Sequence, residues 1–278
     1  MRINTNMAAL NAWRNMSVNN THMSKSLEKL SSGYRVNRAA DDAAGLAVSE
    51  KMRAQIRGLN MAVRNAQDGV SLVQTAEGGA QKIQDMLQRM RELAVQASSD
   101  TLTDNDRALL NEEFGNLADE IRRTSMSTKF NEKDLINSAA EALGALTIQV
   151  GPGTDPNSDH IEITLQSLED TDLGVDKATL NINTKAAAQN AIGAIDTAIN
   201  TVSVARANLG ALQNRLEAAI ETLQIQSENL TAAESRIRDA DMAFEMAQFT
   251  KYQILQQASM AMLAQANTAP QAILSLLR

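Results

Sequence analysis

The chain has 278 residues, a net charge of −7, a pI near 5.0 and no cysteine. The missing thiols exclude disulfides, thiolate metal sites and thiol catalysis, and the acidic balance excludes a general nucleic-acid binder, which would show a basic face. One Trp, two Tyr and four Phe are too few for an ordinary globular core, and Pro152, Pro156 and Pro270 leave residues 1–151 and 157–269 free of proline, so the composition describes long helices with one interruption.

In chain order, Leu10, Trp13, Met23, Leu27, Leu30 and Tyr34 fall at helical spacing from Asn6 to about Leu30, around a polar middle of Asn15, Asn19, Asn20 and Thr21. Such a helix is marginal alone. Ser31-Ser32-Gly33 breaks it, and Tyr34 to Gly45 reads as a connector in which Arg35 and Arg38 pair with Asp41 and Asp42, the aspartates also capping the helix that follows. A second, long helix carries Met52, Ile56, Leu59, Val63, Ala66, Val70 and Val73, then Ala76, Ala80, Ile83, Leu87, Met90, Ala94 and Ala97 one residue early. The skip beside Gly78-Gly79 requires a change of partner or a bend. Ser98 to Thr103 form a turn, with Thr103 and Asp106 at capping-box spacing, and Leu110, Phe114, Leu117 and Ile121 mark a third helix ending near Thr128.

Between Ala139 and Lys185 the period changes to 2. Leu146, Ile148 and Val150, then Ile161, Ile163 and Leu165, predict a β-hairpin with a long loop through Gly151-Pro152-Gly153 to Asp159. Asp155, Asn157, Asp159 and Glu162 lack the calcium-loop spacing and read as a solvated loop. From about Ala186 to Ile237 every seventh residue is apolar, in the line Ile195, Val202, Leu209, Leu216, Leu223, Leu230, Ile237. The line three residues earlier turns mixed at Arg206 and Gln213, so one edge of the stripe meets something wetter. At about 1.5 Å per residue this helix is roughly 75 Å long and needs equally long partners. Arg236 to Asp241 forms a second charged connector, and a last helix with Met242, Met246, Phe249, Gln253, Gln256, Met260 and Leu263 is expected to end at Pro270, before an apolar tail.

The reading is a mainly α fold: an elongated bundle of long antiparallel helices with coiled-coil terminal helices and a small β-hairpin, nearly mirror-like along the chain and rod-shaped. The N-terminus has no apolar run of signal-peptide form and no span reaches membrane length, which predicts a cytoplasmic protein or one exported without a cleaved signal.

Five blocks resemble bacterial flagellin: Met1–Leu10, Leu30–Met52, Gln88–Gln96, Arg236–Met242, and Ala261–Asn267 through Leu274–Arg278. The resemblance covers about 1–140 and 185–278, and the short middle makes this a form without the variable outer domains. It implies the structural subunit of the extracellular flagellar filament, serving motility, exported by the flagellar type III route and needing no cofactor. Its implied segments are 1–42 and 238–278 as the two parts of an inner coiled-coil domain, 43–140 and 186–237 as the helices of a surrounding rod domain, and 141–185 as that domain's hairpin and loop. Polymerisation is then expected of Leu10, Leu27, Leu30, Phe249, Leu263 and Leu277, with Arg35, Arg38, Asp41, Asp42, Arg236, Arg238, Asp239 and Asp241 as inter-subunit ion-pair candidates. The terminal segments should be disordered in the monomer and fold on assembly.

The resemblance also implies partners besides a second copy: an export chaperone on the C-terminal segment, hook-junction and cap proteins, and the vertebrate innate flagellin receptor through Arg89, Leu93 and Glu113. The zinc peptidase that some flagellins carry needs a His-Glu-x-x-His helix, and the two histidines, His22 and His160, are far apart in sequence. The alternatives are a hook–filament junction protein, which shares the terminal helices, and a generic coiled-coil adaptor, which needs none of the terminal blocks.

Overall fold

A computed structural model describes residues 6–142 and 144–276. Its order is α1 (Met7–Ser32), α2 (Ala43–Ala97), α3 (Asp104–Ser127), β1 (Lys129–Phe130), β2 (Lys133–Asp134), α4 (Ser138–Ala142), β3 (Leu146–Gln149), β4 (His160–Ile163), α5 (Lys185–Arg238) and α6 (Met242–Leu276). The fold is mainly α. Two compact bodies form, one from Met1–Ile56 with Glu228–Arg278 and the other from Arg57–Ser227. The division falls inside α2 and α5 rather than at the charged connectors. One reason is visible in the first turns of α2, where Ser49 is buried and Glu50 holds Arg238 at 2.7 Å, within the first body.

In the second body, α2 and α5 run antiparallel, fixed by Arg91 on Asp196 (2.6 Å), Arg206 on Gln84 (2.6 Å) and Glu77 (3.3 Å), and Ser227 on Asn60 (3.2 Å). The innermost residues of α2 are Leu59, Ala62, Ala66, Gly69, Val73, Ala76, Ala80, Ile83, Leu87, Met90, Ala94 and Ala97, spaced three and four throughout. The expected skip beside Gly78-Gly79 is therefore absent. Small side chains at 62 and 69 lie deeper than Val63 and Val70, so a stripe read from large residues alone slips by one. In α5 the line from Ala188 through Ile195 to Leu223 is buried, flanked on one side by Ala191, Ala198, Ala205 and Leu212. On the other side Ile192, Ile199, Arg206, Gln213 and Ile220 are half-buried, which is the wetter edge the sequence predicts.

Against this pair α3 lays Phe114, Ala118, Ile121 and Ser125, all fully buried. Its start is a complete capping box, with Thr103 Oγ1 accepting from the Asp106 N–H and the Asp106 carboxylate accepting from the Thr103 N–H. Arg107, also buried, closes the α2–α3 turn by donating to the carbonyls of Ala97 (2.9 Å) and Ser99 (2.8 Å). The adjacent glycines of α2 do opposite things. A Cβ on Gly79 would lie 2.7 Å from Thr128 Oγ1 and 2.9 Å from Ile136, whereas one on Gly78 would meet nothing.

The hairpin forms as expected, β3 pairing antiparallel with β4 from Leu146 opposite Ile163 to Gln149 opposite His160. Within its loop the Asp159 carboxylate accepts from the Asp155 N–H and the Asp155 carboxylate from the Asn157 N–H, so these acids serve backbone turns. The sequence did not announce β1–β2, a two-residue hairpin turned by Asn131 and Glu132 in left-handed conformation. It was equally silent on residues 166–184, whose Leu168, Leu173, Val175 and Ile182 join the core and whose Asp170 and Asp176 hold Arg122 at 2.7 and 3.0 Å.

In the first body α1 ends where Ser31-Ser32-Gly33 predicts, Gly33 adopting φ +74° and returning its N–H to Lys29 O. Pro270 does not end α6, which runs on to Leu276. A helical proline cannot serve the carbonyl four residues earlier. That carbonyl, Ala266 O, accepts instead from Asn6 Nδ2 at 2.7 Å.

Candidate functional site

The terminal helices pair antiparallel, and what lies between them is not what lies outside. On α1 the sheltered positions are Ala9, Ala12, Met16, Asn19, Met23, Ser26 and Leu30, and on α6 they are Glu245, Phe249, Tyr252, Gln256, Ser259, Leu263 and Ala266. Both rows step by three and four, the period of a coiled-coil seam. Yet the seam is small and polar in most of its length. Asn19 Nδ2 donates to Ser259 Oγ (3.3 Å), the His22 ring stacks on Tyr252 at 5.1 Å, and Lys29 meets the buried Glu245 at 3.1 Å. At the far end the Asn6 amide caps α1 through Oδ1 while its Nδ2 reaches α6. Polar groups in such a seam fix register at a cost in stability.

Most of the large apolar side chains face out: Met7, Leu10, Trp13, Val18 and Leu27 on α1, and Met242, Phe244, Met246, Ile254, Leu255, Met260 and Met262 on α6. Trp13 is 58% and Phe244 59% exposed. Burying one such side chain is worth about 1.5–3 kcal/mol, so these faces forgo a large stabilisation in the isolated chain. The predicted apolar set is thus divided. Leu10 and Leu27 are exposed, Leu30, Phe249 and Leu263 lie in the seam, and Leu277 lies outside the described residues.

The two charged connectors are joined to each other by backbone. Arg35 N donates to Arg238 O (2.6 Å) and Ala240 N to Gly33 O (2.9 Å), making a bridge between Tyr34 and Asp239. Their charges do not form the pairs the sequence suggests. Arg38 binds Glu28 at 2.8 Å, Arg35 donates to Ile237 O at 2.6 Å, and Asp41 and Asp42 accept from the N–H groups of Arg38 and Gly45. Short aspartate side chains following a turn reach backbone N–H groups more readily than a guanidinium. Asp241 likewise caps α6 through the N–H groups of Ala243 and Phe244. Arg238 stacks 4.7 Å from the Tyr34 ring centre and holds the Glu50 carboxyl below its usual range. Arg236 is exposed, and its side chain makes no hydrogen bond or ion pair among the described residues. Asn19 and Glu245 were missed because apolar periodicity is blind to polar seam positions, and Asn6 and Glu50 because they lie outside the seam, on the cap of α1 and on α2. Reading every third and fourth residue from Ala9 regardless of type would have found Asn19 and Ser26.

Family models match both ends of the chain: the bacterial flagellin N-terminal helical region over residues 3–141 and the bacterial flagellin C-terminal helical region over 192–277. The chain belongs to the flagellin family. It is a structural subunit of the bacterial flagellar filament and not an enzyme. It is 52% identical to a flagellin of Halalkalibacterium halodurans and 47% identical to one of Bacillus subtilis, each over the whole of both chains. The crystal structure of Bacillus cereus flagellin matches with 30% identity and a TM-score of 0.51, covering 62% of this chain and 94% of that one. A flagellar hook-associated protein of Vibrio parahaemolyticus matches at 14% identity and TM-score 0.58, over 72% of this chain and all of that one, a likeness of fold alone. Among the described residues no cluster could hold a metal ion and no helix is long and apolar enough to cross a membrane.

Of the receptor positions expected in this flagellin, Arg89 and Glu113 meet at 2.8 Å on the surface, Glu113 keeping the guanidinium firmly protonated. Leu93 is 1% exposed and packs in the core. As the residue between Met90 and Ala94 on the buried side of α2, it presents no surface in this conformation.

Proposed function

We propose that this flagellin polymerises through the outward faces of α1 and α6, second copies covering Leu10, Trp13, Leu27, Phe244 and Met262, while Leu30, Phe249 and Leu263 hold the two helices of one subunit together. The observation that carries it is the inversion of the terminal pair, whose seam is small or polar at most of its positions while Trp13, Phe244, Met262 and other large apolar side chains stand outside it. A contact of this kind repeated head to tail builds an open helical polymer. Most connector charges serve within the subunit, leaving Arg236 and Asp239 as the charges available to a neighbour. Segments 1–42 and 238–278 are disordered before assembly, since a seam this polar holds two helices weakly; slow amide exchange across both in the monomer would contradict this.

Export without a cleaved signal, an export chaperone gripping 238–278, and contact with cap and hook-junction proteins follow the same reading, because α6 exposes apolar side chains on several sides. Recognition by the vertebrate receptor rests on the Arg89–Glu113 pair, without Leu93. The deciding experiment is electron microscopy of seeded full-length protein beside a variant lacking 1–42 and 238–278. Long tubular filaments from the first and none from the second are expected. Filaments from the truncated chain would refute the assignment to the terminal helices.

A further inference from the structure

Five of the outward apolar side chains on the terminal helices are methionines: Met7 (60% exposed), Met242 (48%), Met246 (51%), Met260 (49%) and Met262 (66%). Separations of 4 and 14 residues are close to whole helical turns, so Met242, Met246 and Met260 line one flank of α6, and Met262 stands on another, the flank that also carries Phe244 and Leu255. With no cysteine in the chain, thioethers are its most readily oxidised sulfur. We infer that these methionines form an oxidative modification site for peroxide-class oxidants, at which conversion to the sulfoxide in the unassembled subunit blocks its addition to a filament. The inference rests on the polymerisation reading above.

The chemistry is a two-electron oxygen transfer. A thioether lone pair attacks one peroxide oxygen, the S–O bond forms as the O–O bond breaks, sulfur is oxidised by two electrons, and the departing hydroxide takes a proton and leaves as water. The product replaces a flexible apolar group by a polar, chiral one, which is what a dry helix–helix contact tolerates least. A dithiol reductase reverses the step, giving thioether, water and a disulfide on the reductant. Assembly and oxidation therefore compete for the same atoms, and a methionine already covered by a neighbour is sheltered.

The test treats full-length monomer and preformed filaments with hydrogen peroxide, maps sulfoxides by peptide mass spectrometry, and follows seeded elongation. Met61 and Met126, 49% and 53% exposed in the second body, report oxidant delivery, and Met90, at 0%, reports unfolding. Expected are sulfoxides at the five positions in monomer, at least tenfold less in filament, and at least tenfold slower elongation of oxidised monomer. Methionine sulfoxide reductases A and B together should restore elongation. A variant with Met7→Leu, Met242→Leu, Met246→Leu, Met260→Leu and Met262→Leu should elongate before and after peroxide alike. If that variant does not elongate untreated, the reductase arm on the natural chain decides alone. Unchanged elongation with the five sulfoxides present, or no recovery after their reduction, overturns the inference. Untreated protein that never elongates seeds overturns the polymerisation reading, and this inference with it.

Discussion

The two bodies of this flagellin use one heptad spacing to opposite ends. Between α2 and α5 the three-and-four positions hold Leu, Ile, Met and Ala with essentially no exposure, and the charges sit outside. Between α1 and α6 the same positions hold Asn, Ser, Gln, Tyr, Glu and Ala among a few Met, Leu and Phe, and Trp13, Phe244 and Met262 sit outside. Periodicity specifies which residues face a partner helix; chemistry at those positions specifies whether the pair is finished. The first body is half of a core.

The sharpest way to break that contrast is a pair of truncations. Phe114→Ala should cost the monomer about 3–5 kcal/mol, seen as a lower midpoint in thermal or denaturant unfolding, because it empties a fully buried site. Trp13→Ala should move the same transition by less than about 0.5 kcal/mol yet slow seeded elongation severely; a monomer destabilised as much as by Phe114→Ala would mean that α1 is cored within its own chain. Next in size, Gly79→Ala should lower stability by about 1–3 kcal/mol through overpacking against Thr128 and Ile136.

Thr103→Ala should cost about 1 kcal/mol by removing the α3 cap. It should also change the acid limb. The Asp106 carboxyl lies below its usual range chiefly through the Thr103 hydroxyl, so the folded chain binds fewer protons than the unfolded one as pH falls through the ordinary aspartate range. That stability is present above the ordinary range and lost as pH drops toward the folded value, and Thr103→Ala should flatten this slope in pH-dependent unfolding. In the assembled subunit Glu50, held low chiefly by Arg238, gives the first body a limb of the same sign. The smallest effect is favourable: Gly78→Ala, one residue from the harmful site and facing open space, should stabilise α2 by about 0.5–1 kcal/mol.

Much of this was legible. The Leu146–Val150 alternation, the Thr103 box and Gly33 each express a single local rule and appear as read, and the line from Ile195 is buried as far as Leu223, with Leu230 and Ile237 only half-buried. The failures share a cause. Where a small or polar residue does what a large apolar one usually does, at Ala62 and Gly69, at Asn19 and Ser26, a hydrophobic count looks at the wrong neighbour. Where charges are dense, as at Arg35 to Asp42, the capping reading holds at Asp42, but composition does not show that carbonyls and N–H groups compete with the expected ion pairs. Pro270 was misread for the reason least available to a local reading: its compensation comes from residue 6.

That compensation ties the motions of the two chain ends together. One carboxamide starts α1 and fills the gap in the hydrogen-bond ladder of α6, so neither end can fray without releasing the other. In the filament, where both helices are formed, backbone order parameters over residues 7–12 and 263–268 should therefore fall in step as temperature rises, and Asn6→Ala should let them fall separately.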